Sequence, residues 1–278
     1  MTLTMKFLDI GLGTSILIET DKINIIFDCG IDSETGNNAF KELDDDKLDY
    51  LILTHPHKDH IESLISPDYK NPSQITKNNS IKKSLIEKQI NNAKTNYDCS
   101  IFTKYKEINE EYTHPVSESE SFSNPINNGN IILKNFIPSK QNGEELNDYS
   151  IATYVSYKEH SILLMGDNTP KNIEELMEDT DFKSEIENID VLLAPHHGRK
   201  SGYVPEFVQY LNPTITIISD KSEDNNESAQ DRYEYYSNGM YITKNGKKDF
   251  RQTLTTRNEG DITLTITNTG DLSIECNK

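Results

Sequence analysis

Cysteine is scarce in this sequence. Only three cysteines occur among 278 residues, namely Cys29, Cys99 and Cys276. They are odd in number, widely spaced and without a C-x-x-C pair, which argues against a disulfide framework and against a thiolate metal site. We therefore expect three free thiols.

Positive charge and long apolar runs are also lacking. The chain has 28 Lys and Arg against 46 Asp and Glu, a formal net charge of −18. This balance repels polyanions and argues against binding of long duplex DNA or a membrane surface through a broad basic face. No apolar run approaches the roughly 18 residues that a membrane span needs, and the first residues lack the pattern of a secretory signal. We therefore predict a soluble, cytoplasmic protein without a membrane partner.

Hydrophobic residues make up only 34% of the chain, so they must be concentrated if a core is to form. They occur in short runs within an Asn, Lys, Asp and Ser-rich background: INIIFD, LDYLILTH, SILLMGD and IDVLLAPHH. Runs of this length are typical of buried strands, and their patterning excludes disorder as the overall state.

The order of these runs favours a β-rich chain in which helices follow many strands. Thr169 and Pro170 are a predicted N-cap and first helical residue. Residues 67–130 differ in composition and form a predicted insert. Within it, an amphipathic helix is predicted from near-helical spacing of Ile81, Leu85, Ile86, Ile90 and Ala93. We expect two mixed sheets with helices outside them.

Three strand-like runs end in side chains that commonly bind metals. The first is followed by His55, His57, Asp59 and His60, the second by Asp167, and the third by His196 and His197. Five of the seven histidines therefore lie in two of these clusters. Imidazoles and carboxylates at this spacing can serve two adjacent cations, with a carboxylate from a neighbouring strand end bridging them.

The remaining candidates have plainer interpretations. Asp28 is predicted to orient the histidine loop rather than to bind a metal. His160 is expected to be a surface histidine. His114 is also more typical of a surface residue, although its position between the first two clusters leaves it as a candidate ligand.

The pattern His55-x-His57-x-Asp59-His60 resembles the hallmark of the metallo-β-lactamase superfamily. Further motifs are similar to stand-alone relatives of the C-terminal hydrolase domain of the DNA-uptake channel ComEC. These motifs are D-I-G-x-G-x-S-I-L-I at 9–18, F-D-x-G at 27–30, N-D-x-S at 147–150, L-L-x-G-D at 163–167 and H-H-G-x-x-S at 196–201. The sequence departs from this group at Glu62-Ser63 and at 227–230. We therefore do not expect its substrate pocket to match that of the ComEC hydrolase domain.

The resemblance implies an α/β (α+β) fold, a four-layer αββα metallo-β-lactamase sandwich of two mixed sheets with outer helices. Residues 1–278 would form a single domain with a helical insert at about 67–130. One or two divalent cations, zinc or manganese, are implied, with Asp59 and His197 as catalytic residues. The expected ligands are His55 and His57 for one cation, Asp59 and His60 for the other, Asp167 between them, and His196, with His196 and His197 able to exchange roles.

The function implied is metal-dependent hydrolysis, as in a phosphodiesterase or nuclease acting through a metal-bound hydroxide. The predicted substrate is a short or single-stranded nucleic acid or a small, for example cyclic, nucleotide. Arg199, Lys200 and Ser201 form a predicted local site for this anion. Two alternatives stay open: hydrolysis of a non-nucleotide ester, lactone, amide or peptide, and a regulatory module that binds a protein partner through the insert.

Overall fold

The computed structural model describes residues 1–43, 47–138, 143–221 and 227–278. The strands are β1 (Leu3–Phe7), β2 (Ser15–Glu19), β3 (Asn24–Cys29), β4 (Leu48–Leu53), β5 (Pro72–Lys77), β6 (Ile132–Phe136), β7 (Ala152–Tyr157), β8 (His160–Leu164), β9 (Val191–Leu193), β10 (Ile215–Ile218), β11 (Met240–Lys244), β12 (Lys247–Arg251), β13 (Thr253–Thr255), β14 (Ile262–Ile266) and β15 (Leu272–Cys276). The helices are α1 (Lys58–Ile61), α2 (Lys83–Asn92), α3 (Asn96–Glu111), α4 (Pro170–Glu178), α5 (Thr180–Glu185), α6 (Pro205–Leu211), α7 (Gln230–Tyr236) and α8 (Thr256–Glu259).

The strands form two mixed sheets. One sheet has the order β12-β11-β15-β14-β1-β2-β3-β4-β5, and the other has the order β13-β10-β9-β8-β7-β6. In the first sheet, β3, β4 and β5 run parallel, whereas β1, β2, β14 and β15 pair in antiparallel fashion. In the second, β8, β9, β10 and β13 are parallel and β6 and β7 are antiparallel. The predicted pair of mixed sheets with outer helices is confirmed.

Three apolar layers explain why the strand sequences are continuous apolar runs. In β8, Leu164 packs between the sheets, whereas its neighbour Leu163 faces the outer helices. Both are fully buried, because a strand covered on both faces has no polar side. The outer layer of the nine-stranded sheet contains Leu85 and Tyr105 from α2 and α3.

The insert is part of this architecture. Its first element, β5, is the edge strand of the larger sheet, with Leu53 of β4 paired to Lys77. The predicted amphipathic helix is present as α2, and α3 follows it. Lys58 in α1 forms a 2.8 Å ion pair with Asp98 in α3, which joins the insert to the histidine loop. Among the described residues, no helix is long and apolar enough to cross a membrane.

Candidate metal centre

The loops that carry the candidate ligands meet at one edge of the sandwich. His55 follows the end of β4, Asp167 follows β8, and His197 follows β9. Strands β8 and β9 are parallel neighbours, so their carboxyl ends lie side by side. The two sheets are joined here by a 3.2 Å hydrogen bond from the Ile151 amide to the Thr54 carbonyl.

Two glycines allow the backbone to approach the histidine loop closely. A Cβ atom at Gly13 would lie 2.4 Å from the carbonyl oxygen of Asp59, and one at Gly30 would lie 2.3 Å from the same atom. Both distances are far inside van der Waals contact. The Asp59 carbonyl also accepts a 3.1 Å hydrogen bond from the Thr14 amide. The glycines in the D-I-G-x-G and F-D-x-G motifs therefore position the ligand loop.

The first group of candidate ligands is His55, His57 and Asp167, whose donor atoms lie within 4.8 Å of one another. Nε2 of His55 lies 2.9 Å from Nδ1 of His57 and 3.7 Å from Oδ2 of Asp167. The Thr54 hydroxyl donates to Asp28, so Nδ1–H of His55 donates to that hydroxyl at 3.0 Å. This contact leaves Nε2 of His55 free to bind a cation.

The second group is Asp59, His60 and His197. Nε2 of His197 lies 3.3 Å from Oδ2 of Asp59 and 3.3 Å from Nε2 of His60. Nδ1 of His197 donates to the Ser219 carbonyl at 3.0 Å, which again leaves Nε2 as the ligand atom. The Asp59 side chain is 30% exposed, whereas those of His60 and His197 are nearly fully buried.

Asp167 lies between the two groups and presents a different oxygen to each. Its Oδ2 faces His55, whereas its Oδ1 lies 3.2 Å from Nε2 of His60 and 3.4 Å from Nε2 of His197. Its amide donates to the Ser150 hydroxyl at 2.9 Å, which fixes the start of the loop. The side chain is 5% exposed. This is the placement expected of a carboxylate shared by two cations.

Asp28 lies beneath the second group. Its Oδ2 accepts a 2.6 Å hydrogen bond from Nδ1 of His60, and its carboxylate also accepts hydrogen bonds from the amide and hydroxyl of Thr54, each at 2.8 Å. It belongs to neither ligand group. Its geometry agrees with the predicted orienting role.

Electrostatic effects favour the ligand forms of some residues and leave others protonated. Burial lowers the pKa of His55 and His57, so both are neutral near pH 7. Burial alone would raise the pKa of Asp59 and Asp167, but nearby His60 and His197 lower it, and both remain ionised.

His60 and His197 respond in the opposite direction. Burial alone would lower their pKa values, but Asp167 and its neighbouring carboxylates outweigh burial. They raise the pKa of His60 above its usual value and that of His197 to about 9. Without a cation, His60 and His197 are therefore protonated, and their positive charge balances the surrounding carboxylates.

The two consecutive histidines after β9 are placed differently. Both have left-handed backbones, with φ of 51° at His196 and 55° at His197, and Gly198 continues the turn with φ of 65°. His197 points into the second group, whereas His196 lies outside both groups and is partly exposed. Of these two histidines, whose roles the sequence leaves interchangeable, His197 is the one whose Nε2 lies beside Asp59 and His60. The reason is the hydrogen bond from His197 to Ser219, which the sequence does not reveal.

The predicted anion-binding residues follow this turn. Ser201 Oγ lies 3.5 Å from Nδ1 of His196. Nε of Arg199 is buried and has no hydrogen-bond partner within the described parts of the chain. Lys200 lines a shallow cavity together with the acidic residues Asp231 and Glu234. Arg199 is thus the member of this set best placed to attract an anion.

The other two histidines lie elsewhere. His114 is exposed and lines a cavity beside β5, so it is not brought to either ligand group. Nε2 of His160 lies 2.9 Å from the Gly270 carbonyl, and its Nδ1 lies 3.3 Å from Asp190.

The binding of a protein partner to the insert stays a prediction.

The donor set suits a divalent transition metal. It combines imidazole nitrogens with carboxylate oxygens, and one carboxylate faces both groups. In His60 and His197, the ring nitrogen that does not face the ligand group is fixed by a hydrogen bond. Zinc and manganese both accept such ligands. The residues present therefore fit one or two cations.

Comparison with protein families gives an independent line of evidence. A model of the metallo-beta-lactamase superfamily matches residues 8–64, which include the histidine loop. The segment that carries the histidine loop is therefore similar to the metallo-β-lactamase superfamily. The matched segment carries four of the candidate ligands, namely His55, His57, Asp59 and His60.

Several solved structures are similar to the chain at low identity. The metallo-β-lactamase fold protein YhfI from Bacillus subtilis is 14% identical, with a TM-score of 0.42 and coverage of 77% of this chain and 85% of that one. A metallo hydrolase from the archaeon Ignicoccus hospitalis is 12% identical, with a TM-score of 0.42 and coverage of 78% and 82%. The short form of human tRNase Z is 12% identical, with a TM-score of 0.44 and coverage of 81% and 95%. These values are too low to transfer an activity or a residue role.

Proposed function

We propose that the protein is a metal-dependent hydrolase that cleaves a phosphodiester. The observation that carries this proposal is Asp167, whose two carboxylate oxygens face two separate groups of buried ligands. His55 and His57 would hold one divalent cation with Asp167. Asp59, His60 and His197 would hold the other. When bound, such a pair lowers the pKa of a coordinated water and stabilises charge that develops on the substrate oxygen.

The protein residues around the ligands have separate tasks. Asp59 is the most exposed member of the second group, so its carboxylate can accept a hydrogen bond from the attacking water and orient it. His196 lies outside both groups and is partly exposed, so its ring can donate a hydrogen bond to the leaving oxygen. Arg199 would attract the anionic substrate to this edge.

A phosphodiester is preferred to other hydrolysable bonds for two reasons. The motifs between 9 and 201 resemble relatives of the ComEC hydrolase domain, and the partly exposed Arg199, whose Nε has no hydrogen-bond partner among the described residues, carries a guanidinium group that suits a phosphate. The net charge of −18 favours a short or single-stranded nucleic acid or a small nucleotide over long duplex DNA.

The experiment is a substrate panel with protein loaded with Zn²⁺ or Mn²⁺. The substrates are bis-p-nitrophenyl phosphate, single-stranded DNA, RNA and a chromogenic lactam. We expect hydrolysis of phosphodiesters that is lost on chelation. Cleavage of the lactam alone, or of no phosphodiester with metal bound, would reject the proposed substrate class.

Asp167→Asn tests the assignment of the centre. We expect kcat to fall by about 100-fold or more, because an amide cannot supply two anionic oxygens to the cations. Asp190→Asn is the matched control, because Asp190 also pairs with a histidine but lies away from both groups. Circular dichroism should be unchanged in both variants. Full activity of Asp167→Asn would show that this residue is only part of the turn.

A further inference from the structure

A cavity at the carboxyl end of β5 is lined by three lysine side chains. It has a volume of about 370 Å³ and lies between the end of β5 and helices α2 and α3. Its lining includes Lys77, Lys83 and Lys106, with Glu110 as its only acidic residue in the part of the chain that the structure describes. Three ammonium groups around one cavity are unexpected in a chain with a net charge of −18.

Lys77 is the most unusual of these groups. The residue is only 7% exposed, and Nζ donates a 2.6 Å hydrogen bond to Oδ1 of Asn79. No carboxylate pairs with it among the described residues, and burial lowers its pKa without a compensating anion. A buried ammonium held only by a neutral amide is costly unless an anion binds beside it.

The cavity also has an apolar wall. Ile81 and Ile86 line it and are 8% and 6% exposed, while Asn78 and Asn109 contribute amides. A volume in the range typical of small-ligand sites, with apolar and cationic surfaces together, is larger and less polar than a bare inorganic anion requires. It suits an anion with an apolar body.

The position of the cavity connects it to the centre. Lys77 pairs in register with Leu53, which lies two residues before His55. Nδ2 of Asn78 donates to the Tyr149 carbonyl at 2.9 Å, and the same turn carries Asn147, whose side chain interacts with His57. A second cavity of about 530 Å³ adjoins the first and shares Lys77 and Asn79 with it, so the two form a groove along β5.

We propose that this groove binds a nucleotide unit of the substrate through its phosphate, at a site separate from the metal ligands. Lys77 and Lys83 contact the phosphate, and Ile81 and Ile86 contact the apolar part. The role of the groove as a substrate subsite rests on the proposed function. Binding of a nucleotide to the groove does not depend on that function. Substrates with several linked nucleotides are then preferred to small phosphodiesters.

Binding is tested with thymidine 5′-phosphate on metal-stripped protein, followed by thermal unfolding. A ligand that binds only the folded state raises the melting temperature. Lys83→Met and Lys88→Met are a matched pair, because both lysines are exposed on α2 but only Lys83 lines the cavity. We expect Lys83→Met to weaken binding by roughly tenfold, as for loss of one charge-assisted contact, and Lys88→Met to leave it unchanged.

Lys77→Met adds a second measurement. It should abolish binding without lowering the melting temperature of the free protein, because a buried unpaired charge is removed. A lower melting temperature would indicate a structural lysine and would overturn its assigned role. The absence of a ligand-induced shift in the parent, or equal losses in the Lys83 and Lys88 variants, would overturn the site itself.

Catalysis supplies the last arm. With metal-loaded protein, Lys83→Met should raise KM for a thymidine tetranucleotide by roughly tenfold and leave the hydrolysis of bis-p-nitrophenyl phosphate unchanged. An unchanged KM for the tetranucleotide would reject the groove as a substrate subsite. Nucleotide binding without any hydrolysis would instead reject the proposed function and leave the groove as a binding site.

Discussion

The Asp28 carboxylate lies 2.6 Å from Nδ1 of His60, and neither side chain is exposed to solvent. The same carboxylate accepts hydrogen bonds from Thr54, whose hydroxyl also contacts His55. One buried acid thus orients imidazoles of both ligand groups, directly in one case and through a hydroxyl in the other.

Asp28→Asn should therefore weaken metal binding although Asp28 is not a predicted ligand. Loss of a carboxylate that orients a ligating histidine typically costs about 10–100-fold in metal affinity. The measurement is competition with a chelator of known affinity. Asp190→Asn is the control, because it removes the acid of the remote His160 pair. Parent-like affinity in Asp28→Asn would contradict the orienting role.

Metal content tests the ligand set directly. The purified protein should retain one to two equivalents of a divalent transition metal after dialysis, measured by mass spectrometry. His55→Ala with His57→Ala should remove this metal, because two of the three donors of the first group are lost. His114→Ala with His160→Ala should retain it, because neither residue belongs to a ligand group. Equal metal content in the two double variants would reject the assignment.

Asp32 predicts a pH-dependent contribution to stability. Its Oδ1 accepts hydrogen bonds from the amides of Glu34 and Thr35 and from the Thr35 hydroxyl, at 3.0, 2.6 and 2.7 Å. Burial alone would raise the pKa of Asp32, but these hydrogen bonds outweigh it and hold the pKa below 3.8. A carboxyl group whose pKa is lower in the folded state stabilises the protein at any pH above its pKa in the unfolded state. This contribution is lost as the pH falls through the pKa of the group in the folded state.

Asp32→Asn should accordingly lower the free energy of unfolding by about 1 kcal/mol near pH 7. The difference from the parent should shrink below about pH 4 and vanish at lower pH, once the parent carboxyl is protonated. Urea unfolding at several pH values measures this. Asp68→Asn, at an exposed position, is the control. A difference that stays constant with pH would show that charge is not responsible.

The three free cysteines should differ in reactivity. Cys29 is fully buried and Cys276 is 5% exposed, whereas Cys99 is intermediate. Burial raises the pKa of the Cys29 thiol and raises that of Cys276 to about 11, which suppresses the reactive thiolate. An Ellman assay of the folded protein should show one fast thiol, absent in Cys99→Ser, and three after unfolding. Three fast thiols in the folded protein would contradict this burial pattern.

The sequence predicted the strands that carry the ligands because they are buried on both faces. Their apolar runs end abruptly in polar loops, and these boundaries are visible without a structure. The start of α4 was predicted equally directly, since Thr169 accepts from the Asn172 amide and Pro170 is the first helical residue. In these segments, local preference and tertiary environment agree.

The elements that escaped prediction have weaker local signals. Strand β5, with the sequence PSQITK, is an edge strand with few apolar residues, and only its pairing with β4 makes it a strand. Helix α3 did have a signal: Thr95 is its N-cap, and the Thr95 hydroxyl accepts from the Asp98 amide and donates to the Asp98 carboxylate. The choice between His196 and His197 depends on a left-handed turn and on a carbonyl 22 residues away, which no local pattern encodes.

The left-handed turn at 196–198 lowers the stability of the protein at a residue that is proposed to assist hydrolysis. Two histidines adopt a backbone conformation that costs a side chain-bearing residue about 1–2 kcal/mol relative to glycine. His196→Gly would relieve this cost at a position outside both ligand groups. A laboratory selection for heat resistance alone should therefore enrich glycine or asparagine at position 196. Such variants would lose the imidazole proposed to assist the leaving oxygen, although the selection never measured hydrolysis.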